Sequence, residues 1–479
     1  MPSLMILIPL FGVIILNLLF AGNVRMRRWA FLFALAVFVL QIVVAVFHHP
    51  FLWKNSLDRI DSFFGVSFFV DHLSFIMFIC IGMVSITSLF VARYTMAEES
   101  GRFKFTNLLI LASLGMSGII MVKDIFSLYV FMEITAVSSF LLIAYPKSLE
   151  SLEGSFKYLI LSAVATVLML SSIGLLLLVS GSTSFSAIAA GIGASRNSSL
   201  VILAVGLFIC GLFIKGGLVP FHGWLPDAYM AAPAPASILL AGIVTKAAGI
   251  YTLIRIVTSL FPYDQAVNSI LMFIGTISIF VGAIAAIGQD NFKRMLAYSS
   301  ISQIGYIILG LGAGTGLGIA GAVFHLFNHS VFKSLLFVNS AVVEKETGTC
   351  NMNKMGGISQ RMPVTGTTSV IAFLSTCGIP PLSGFWSKLI IVIALWQAGQ
   401  YTYAALAVIA SVITLAYFLS MQRRVFFGKL KVGLENIKDA DKGVIGVSII
   451  LAAIIAGVGV FFPFVYTTLI SPVKEILIR

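Results

Sequence analysis

The sequence predicts an all-α, polytopic membrane protein with about fourteen transmembrane helices, and three observations support this prediction. Of the 479 residues, 59% are hydrophobic and 10% are charged, and the mean hydropathy is +1.05. Soluble domains do not have this composition. Apolar runs of about 20 residues, long enough to cross a bilayer, recur along the whole chain. Two of these runs are longer than the others and are interrupted by glycine and proline.

Each predicted span is one apolar run bounded by polar or charged residues. The fourteen spans are residues 4–21, 29–47, 69–92, 107–122, 124–144, 156–180, 200–231, 234–260, 267–288, 294–313, 317–343, 365–399, 402–424 and 443–470. The seventh and the twelfth are the interrupted ones. The first run has no basic region before it and no small-residue cleavage site, so we expect a first span and not a signal peptide.

The basic residues between the spans predict the orientation of the chain. If the loop after the first span is cytoplasmic, the loops on that side hold 18 of the 30 Lys and Arg residues, and the opposite loops and the ends hold 6. Cytoplasmic loops of membrane proteins are enriched in Lys and Arg. We therefore expect both termini outside, and we interpret the net charge of +12 as a membrane signal that does not indicate nucleic-acid binding.

A lysine lies beside the helix break in each interrupted span. Lys215 precedes Gly216-Gly-Leu-Val-Pro220, and Lys388 follows Gly378-Ile-Pro-Pro381. An ammonium inside a bilayer is costly, and broken helices are tolerated there only where protein or water satisfies the freed backbone groups. A lysine with a break, found twice, is typical of ion-translocating proteins built from inverted repeats.

The positions of the two breaks predict how the chain is divided. The breaks lie five spans apart, and an odd offset inverts the orientation of the second repeat. We expect residues 1–106 to form spans one to three and residues 107–260 to form the first repeat, spans four to eight. The second repeat, spans nine to thirteen, is predicted at residues 261–424, and residues 425–479 are expected to form a loop and the last span.

Two further ionisable residues lie near the centres of spans. Glu133 in the fifth span is the expected partner of Lys215, because a nearby ammonium keeps a buried carboxylate charged. A purely structural ion pair is the alternative for these two residues. Lys246 in the eighth span lies too far from either end for its side chain to reach the interface. Both positions therefore predict functional charges inside the membrane.

His325, His329 and Lys333 follow one another at intervals of four residues, which places them on one face of a helix. Histidine can exchange a proton near neutral pH, so the face suits a proton relay; simple packing is the alternative for His325. No carboxylate or cysteine accompanies the histidines in that segment, so we expect no metal.

Other polar residues lie beside the first break or near the ends of spans. His222 and Asp227, just beyond the first break, are expected to shape or gate an ion entrance. Lys157 and Arg255 lie nearer to span ends, where reaching the interface competes with lining a channel. The four cysteines are scattered and the chain has no nucleotide-binding loop, so no cofactor is expected.

Two long motifs carry a resemblance to a known family. Lys215-Gly-Gly-Leu-Val-Pro-Phe-His-Gly-Trp-Leu-Pro-Asp-Ala-Tyr229, followed by Ala234-Pro-Ala-Ser-Ile238, resembles the seventh-span signature of the antiporter-like subunits of respiratory complex I. Lys293-Arg-Met-Leu-Ala-Tyr-Ser-Ser-Ile-Ser-Gln-Ile-Gly-Tyr306 resembles their tenth-span signature. The family includes the D subunit of Mrp-type sodium/proton antiporters and related subunits of membrane-bound hydrogenases. The resemblance extends over nearly the whole chain.

The resemblance implies roles for particular residues. The paired Glu and Lys of the family fall on Glu133 and Lys215, its eighth-span Lys on Lys246, and its eleventh-span histidines on His325 and His329. The twelfth-span outlet residue, a Lys or a Glu depending on the member, falls on Lys388, which favours an Mrp D-like or membrane-bound-hydrogenase-like member. The chain resembles the shorter, fourteen-span type of the family.

The resemblance also implies a function and partners. We expect a proton-translocating subunit of a larger complex in the plasma membrane of a prokaryote, with Na+ as a candidate second ion. The expected partners are other antiporter-like and small membrane subunits and membrane lipid, with hydrogenase or iron–sulfur subunits as further candidates. This chain has no ligand set for a redox centre, so whether the complex is an enzyme stays open. A stand-alone secondary transporter of a small solute is the alternative.

Overall fold

The computed structural model describes residues 2–20, 27–47, 59–63, 66–195, 198–261 and 263–477. The first half of the chain forms α1 (Leu4–Phe20), α2 (Ala30–Phe47), β1 (Arg59–Phe63), β2 (Val66–Val70), α3 (His72–Thr95), α4 (Glu99–Ile119), α5 (Ile125–Ile143), α6 (Leu149–Ser180) and the short α7 (Phe185–Ala194). The residues of the first predicted loop up to Met26, together with Lys54, Arg196 and Arg479, lie outside the described residues.

The second half begins with the interrupted seventh span. Its helices are α8 (Ser199–Gly216), α9 (Trp224–Ala231), α10 (Ala234–Leu239), α11 (Thr252–Ser259), α12 (Gln265–Ile287), α13 (Phe292–Gly312), α14 (Gly316–Thr347), α15 (Pro363–Cys377), α16 (Ser383–Gln397), α17 (Tyr401–Val425), α18 (Lys442–Val460) and α19 (Phe462–Val465). A π-helical segment (Tyr466–Ile470) and a 3-10 helix (Ser471–Leu477) follow, so the fourteenth span is bent near its end.

The fourteen predicted spans correspond to helices of the structure. Within the described ranges, eleven continuous or interrupted helices are long and apolar enough to cross a membrane. The other three predicted spans fail that criterion for simple reasons. The first, α1, has only 17 residues; α4 carries Glu99, Arg102 and Lys104 in its first two turns; and the twelfth span is divided into two helices of 15 residues each. The predicted helical membrane fold is confirmed.

Polar side chains set where several spans begin. Asp71 accepts a hydrogen bond from the Ser74 backbone N–H at 2.8 Å, and Asp124 accepts one from Ser127 at 2.7 Å. Asp441 caps α18 in the same way. Each cap satisfies one of the backbone N–H groups that the first turn of a helix leaves without a partner. An aspartate directly before an apolar run therefore defines the start of the span.

A β-hairpin precedes the third span, and the sequence analysis did not predict it. Strands β1 and β2 pair antiparallel, and the predicted third span, which started at residue 69, begins instead at His72. The segment Val66–Val70 is rich in aromatic and β-branched residues, which favour strands. The Phe69 N–H donates to the Met121 carbonyl at 2.8 Å, so the hairpin is anchored to the loop before α5.

Both predicted helix breaks are present, and neighbouring protein groups satisfy the backbone there. In the first break, Gly217 adopts a φ of +67°, the Val219 N–H donates to Ser278 Oγ at 3.1 Å, and the Trp224 indole donates to the Ile214 carbonyl at 3.1 Å. This is the condition under which broken helices are tolerated at membrane depth.

The second break resembles the first. Gly378 adopts a φ of +84°, and the Gly384 N–H donates to Ser375 Oγ at 3.1 Å. An X–Pro peptide bond in each break is cis, Val219–Pro220 in the first and Pro380–Pro381 in the second. Lys215 lies at the end of α8 and Lys388 in the second turn of α16, so each lysine is adjacent to its break, as predicted.

The eighth span is interrupted in a way that the sequence did not indicate. Between α10 and α11 the chain forms two π-helical segments, Leu240–Val244 and Lys246–Tyr251, separated by Thr245. Short π-helical insertions in α-helices are frequently found at functional sites. Lys246 is the first residue of the second segment, so one of the predicted functional lysines lies where the helix widens.

The buried helices lie at the centre of the molecule. Over its most apolar 18 residues, the span from Ala234 to Ser259 is fully buried, and α13 and α14 are 94% buried. By contrast, α2 and α6 are only 33% buried, as expected for helices at the periphery of the chain. Lys246, His325, His329 and Lys333 are carried by the most buried elements, and the candidate site is therefore internal.

Candidate functional site

Glu133 and Lys215 form the ion pair that the sequence predicted. Lys215 Nζ donates to Glu133 Oε1 at 3.1 Å and to Ser162 Oγ at 2.7 Å, and Thr166 Oγ1 donates to the same carboxylate oxygen at 2.7 Å. The Lys215 side chain is 3% exposed, whereas that of Glu133 is 31% exposed. The pair therefore joins the inside of the chain to its surface, and a neighbouring protein could contact Glu133.

The two hydroxyl groups at this pair were missed by the sequence analysis. Ser162 and Thr166 lie one turn apart on α6, so they present their side chains on the same face of that helix. Ser and Thr are common in membrane helices, where they usually bond to their own backbone. Nothing in their local sequence distinguishes them from such residues. Only the packing of α6 against α5 and α8 brings them to the carboxylate and the ammonium.

Lys246 is completely buried. With the five other ionisable residues predicted to carry protons, it belongs to a set that we call the row: Glu133, Lys215, Lys246, His325, His329 and Lys388. The Lys246 Nζ atom donates to the carbonyl oxygen of Ala241, which lies five residues earlier in the first π-helical segment. The Tyr229 hydroxyl donates to the Leu240 carbonyl at 3.0 Å and lies 3.1 Å from Thr245 Oγ1. The π-helical turns thus expose carbonyl groups to side chains. These carbonyls offer the Lys246 ammonium a polar contact, and no carboxylate of the described residues forms an ion pair with it.

Lys215 and Lys246 are carried by segments that touch. A Cβ atom built on Gly249 would lie 2.4 Å from the Cα atom of Gly216, the residue after Lys215. Atoms do not approach this closely, so position 249 must lack a side chain for the two backbones to pack as they do. The end of α8 is consequently held against the π-helical segment that begins at Lys246.

The segment before Lys246 packs against the histidine-bearing helix. A Cβ atom on Gly242 would lie 2.6 Å from Ser334 Oγ, which follows Lys333 on α14. Leu240–Val244 and α14 are in contact along this stretch. The lysine of the eighth span and the polar face of the eleventh are therefore adjacent, as a continuous row requires.

His325 and His329 form a stacked pair inside α14. Their ring centroids are 6.4 Å apart and their planes differ by 3°, and both residues are completely buried. His325 Nδ1 lies 2.9 Å from Ser387 Oγ, whereas His325 Nε2 and both nitrogens of His329 have no hydrogen-bond partner among the described residues. Buried polar atoms are nearly always hydrogen-bonded. These three nitrogens are therefore available to a transferred proton.

Lys388 lies next to the serine that contacts His325. Its Nζ is 4.4 Å from the centroid of the Tyr306 ring and 3.4 Å from Ser411 Oγ. The Tyr306 hydroxyl lies 2.9 Å from the same Ser411 oxygen. The ammonium therefore has an aromatic face and a hydroxyl as neighbours, and no carboxylate forms an ion pair with it in the described part of the chain.

Lys333 is turned away from the histidine nitrogens. Its Nζ donates to the Leu296 carbonyl at 2.9 Å and to Ser299 Oγ, both on α13, and lies 5.8 Å from the centroid of the Phe418 ring. It is completely buried. Lys333 therefore fixes α14 to α13 and places a further positive charge beside the row.

Asp227, one of the two residues expected at an ion entrance, lies in a cluster of charged side chains. Asp227 pairs with Lys157 at 2.6 Å and with Arg294 at 3.0 Å, and Lys157 also pairs with Glu153 at 2.7 Å. The Lys157 side chain is 42% exposed. His222 lies in the 3-10 helix of the first break and is partly buried. The structure does not bring Lys157 and Asp227 into the internal row.

Arg255 forms a largely buried ion pair with Asp71, the residue that caps α3. Its Nη1 and Nη2 donate to Asp71 at 2.6 and 2.8 Å, and Nη2 also donates to the Tyr251 hydroxyl at 3.0 Å. The two charged side chains are 13% and 14% exposed. Sequence reasoning missed Asp71, although an aspartate immediately before an apolar run is a recognisable helix cap.

Comparison with known proteins places the chain in a family. The NADH:quinone oxidoreductase/Mrp antiporter, TM family matches residues 122–414, a range that includes Glu133, Lys215, Lys246, both histidines and Lys388. The chain belongs to this family. The resemblance given by the seventh-span and tenth-span motifs is thereby confirmed.

Individual relatives cover most of the chain. The D subunit of the Na(+)/H(+) antiporter of Alkalihalophilus pseudofirmus is 30% identical over 420 residues, which are 86% of this chain and 84% of the relative. The N subunit of the NADH-quinone oxidoreductase of Desulforudis audaxviator is 32% identical over 426 residues, 87% of this chain and 85% of the relative. Sequence identity does not favour one of these two types over the other.

A solved structure shows the same fold. A chain of the Mrp complex from Dietzia sp. DQ12-45-1b superimposes with a TM-score of 0.91 and covers 99% of this chain and 97% of its own length. Its sequence identity of 22% makes this likeness one of fold alone. The antiporter fold thus extends over α1 to α19, beyond the range that the family match covers.

Proposed function

We propose that this chain is the proton-translocating, antiporter-like subunit of a multisubunit membrane complex. Protons move along a mid-membrane row formed by Glu133, Lys215, Lys246, the two histidines and Lys388. The observation that carries the proposal is the continuity of this row. The ion pair, the two close glycine contacts, the stacked histidines and the Ser387 contact link its members one after another.

The mechanism that this arrangement supports is electrostatic. Glu133 is the most exposed member of the row, so a conformational change in a neighbouring subunit can strengthen or break its bond to Lys215. When the pair opens, Glu133 no longer offsets the charge of Lys215, which then repels the ammonium of Lys246. Among the described residues, no carboxylate forms an ion pair with Lys246. A charge crossing 100 mV is worth about 2.3 kcal/mol, comparable to a pKa shift of under two units. Shifts of this size are ordinary for buried lysines.

The histidines and Lys388 form the second half of the path. A histidine accepts a proton on one ring nitrogen while it donates one from the other, which suits His325 and His329 to passing protons along α14. Ser387 bonds to His325 and directly precedes Lys388, so it orients the last transfer. The break beside Lys388 frees backbone groups and gives water a route to the membrane centre, which is the expected outlet.

The same proposal includes the orientation and the repeats. Both termini lie outside the plasma membrane of a prokaryote, and residues 107–260 and 261–424 are inverted repeats. The similarity of the two breaks supports the repeats, since each has a glycine of positive φ and a lysine nearby and they lie five spans apart. The basic residues of the alternate loops support the orientation.

The parent complex is proposed to be an Mrp-type sodium/proton antiporter or a related respiratory complex. The similarity to the D subunit of an antiporter supports the first, and the similarity to the N subunit of an NADH-quinone oxidoreductase supports the second. In either case the partners are other membrane subunits, with Na+ as a candidate second ion and iron–sulfur or hydrogenase subunits in the redox-driven case. The proteins that purify with this chain distinguish the two.

The test is proton transport by the whole complex in proteoliposomes. Glu133→Gln keeps the shape of the side chain but removes its charge, so it should abolish transport while the complex assembles normally. Lys215→Ala should do the same. Glu150→Gln is the matched control, because Glu150 is an exposed carboxylate at the start of α6, outside the row. Near-normal transport by either row variant would reduce Glu133 and Lys215 to a structural ion pair.

A further inference from the structure

A cavity of about 500 Å³ lies where the ends of three helices meet, away from the proposed proton path. The start of α2, the end of α3 and the first turns of α4 enclose it. Four arginines line it, namely Arg27, Arg28, Arg93 and Arg102, together with a single carboxylate, Glu99. Its volume is within the range of about 300–1,000 Å³ that is typical of sites for small molecules. The lining combines the four arginines with apolar side chains such as Leu32, Leu89 and Phe103.

The cavity lies at the boundary between the membrane and water. Directly after Arg28 and Trp29, α2 becomes apolar and has one polar residue, Gln41, over its length. Arg93 lies in the last turn of α3, and the charges of α4 are confined to its first two turns. All three helices thus change from charged to apolar at one level. Trp29 is 50% exposed there, in the position that tryptophan favours at membrane interfaces.

Aromatic rings hold three of the guanidinium groups in the cavity. Arg27 lies 5.5 Å from the centroid of the Phe103 ring, Arg28 lies 5.6 Å from that of Trp29, and Arg93 lies 4.7 Å from that of Phe31. Arginine favours contact with an aromatic face, and its planar fork of N–H groups matches phosphate in geometry. The arginines are thus preorganised for an anion.

Three of the four cavity arginines have no carboxylate partner among the described residues. These are Arg28, Arg93 and Arg102, and Glu99 is the one acidic residue of the lining. Like charges held close together repel one another unless a counter-ion is bound. Glu99 in the first turn of α4 also interacts with the positive end of that helix, which reduces its effect on the arginines.

An apolar stripe leads away from the cavity along α2. Leu32, at the cavity, is followed on the same face by Val39, Val43 and Val46, and these four side chains are 39% to 49% exposed. An inorganic ion gains nothing from contact with an apolar surface, whereas the acyl chain of a lipid would pack along it. From the arginines and this stripe we infer that the cavity binds the phosphate headgroup of an anionic phospholipid, with an acyl chain along α2.

The lipid site is independent of the proposed proton transport, and its test does not measure transport. Trp29 provides the signal, because bromine atoms on a lipid acyl chain quench a nearby indole. The complex is reconstituted in vesicles that mix phosphatidylcholine with phosphatidylglycerol, one of them brominated at a time. The difference in fluorescence between the wild-type complex and the Trp29→Phe variant isolates the contribution of this one tryptophan.

We expect phosphatidylglycerol to quench Trp29 more strongly than phosphatidylcholine at equal mole fraction. Each arginine near a membrane surface contributes about 1 kcal/mol to the binding of an anionic lipid, about fivefold in affinity. The Arg93→Ala/Arg102→Ala double variant should therefore lose about 25-fold of the preference. Arg423→Ala, which removes an exposed arginine far from the cavity, should leave the preference unchanged.

Three results would overturn the inference. Equal quenching by the two lipids in the wild-type complex would show ordinary surrounding lipid and no site. Loss of the preference on addition of inorganic phosphate or glycerophosphate would show a site for a soluble anion. Absence of any quenching of Trp29 would show that another protein of the complex covers the cavity. The comparison of the two lipids in the wild-type complex needs only the conservative Trp29→Phe variant, so a misfolded double variant would leave the test intact.

Discussion

Gly249 lies so close to Gly216 that a Cβ atom at position 249 would be 2.4 Å from the Gly216 Cα atom. This contact joins the end of α8, which carries Lys215, to the π-helical segment that starts with Lys246. The two lysines come from different spans, one beside a helix break and one inside a widened helix. Their proximity in the proposed row therefore depends on a backbone contact that neither lysine makes itself.

Gly249→Ala should separate these two segments and impair proton transport. The added methyl group meets backbone atoms, which cannot rotate away, so an overpacking cost of about 1–3 kcal/mol is expected. The control is Gly206→Ala in α8, the helix against which Gly249 packs. Nothing lies within 4 Å of a Cβ atom built at position 206. Gly206→Ala should be neutral or slightly stabilising, because alanine favours helices. Transport and thermal denaturation of the purified complex are the measurements.

If Gly249→Ala transported protons at the wild-type rate per assembled complex, the contact between α8 and the π-helical segment would have no part in the path. Loss of assembly in Gly249→Ala alone would be a structural effect only. A lowered rate in normally assembled complexes, with Gly206→Ala unaffected, is the result that the continuous row requires.

The sequence was most informative where the signal is local. The lysines and the glycine–proline motifs of the two breaks stand beside each other in the chain, so their association needed no knowledge of packing. The spacing of four residues between His325 and His329 placed both on one face of α14, where their rings are stacked. Apolar runs likewise predicted the fourteen spans, because a membrane helix needs little beyond length and hydrophobicity.

What the sequence did not reveal depends on contacts between distant segments. The π-helical turns at Lys246 are formed by residues with no unusual composition. Asp71 was overlooked because its partner, Arg255, is 184 residues away in the chain. The ion pair between Lys157 and Asp227 likewise depends on the packing of α6 against α9, which the sequence did not show. The exposure of Glu133 could be seen only once α5 was placed at the edge of the chain.

The Asp71–Arg255 pair should be structural, in contrast to Glu133 and Lys215. It joins the start of α3 to the end of α11 and lies outside the row. Asp71→Asn leaves a buried guanidinium with weakened partners, and breaking such a pair costs about 3–5 kcal/mol. We expect less assembled complex and a lower denaturation midpoint, with a normal transport rate for each complex that does assemble.

The control for this pair is Asp290→Asn at the surface. Asp290 pairs with Arg424, which lowers the pKa of the Asp290 carboxyl, but its side chain is 63% exposed. Exposed pairs of this kind contribute little to stability, so the midpoint should hardly move. If Asp71→Asn assembled normally and its complexes lost transport, Asp71 would belong to an ion path and the structural role would be wrong.

The orientation can be tested by cysteine labelling in intact cells. Asn436 is exposed between α17 and α18, and we expect that loop to be cytoplasmic. A membrane-impermeant maleimide should therefore label Asn436→Cys only after permeabilisation, and Gln265→Cys, at the opposite ends of the helices, without it. Burial raises the pKa of the native Cys350 thiol to about 12, so this cysteine adds little background. Labelling of Asn436→Cys in intact cells would show that this loop lies outside and that the predicted orientation is wrong.

Lys388 should need to exchange its proton and not merely to be positive. Its ammonium lies on the Tyr306 ring at 4.4 Å, a contact that an arginine would also make. Arginine remains protonated even when buried. Lys388→Arg should therefore impair transport almost as much as Lys388→Ala, although it keeps the charge. Lys345→Arg is the control, because Lys345 lies 3.3 Å from the Tyr94 ring at the exposed end of α14. Full transport by Lys388→Arg, with Lys388→Ala inactive, would show that Lys388 needs only its positive charge and does not exchange a proton.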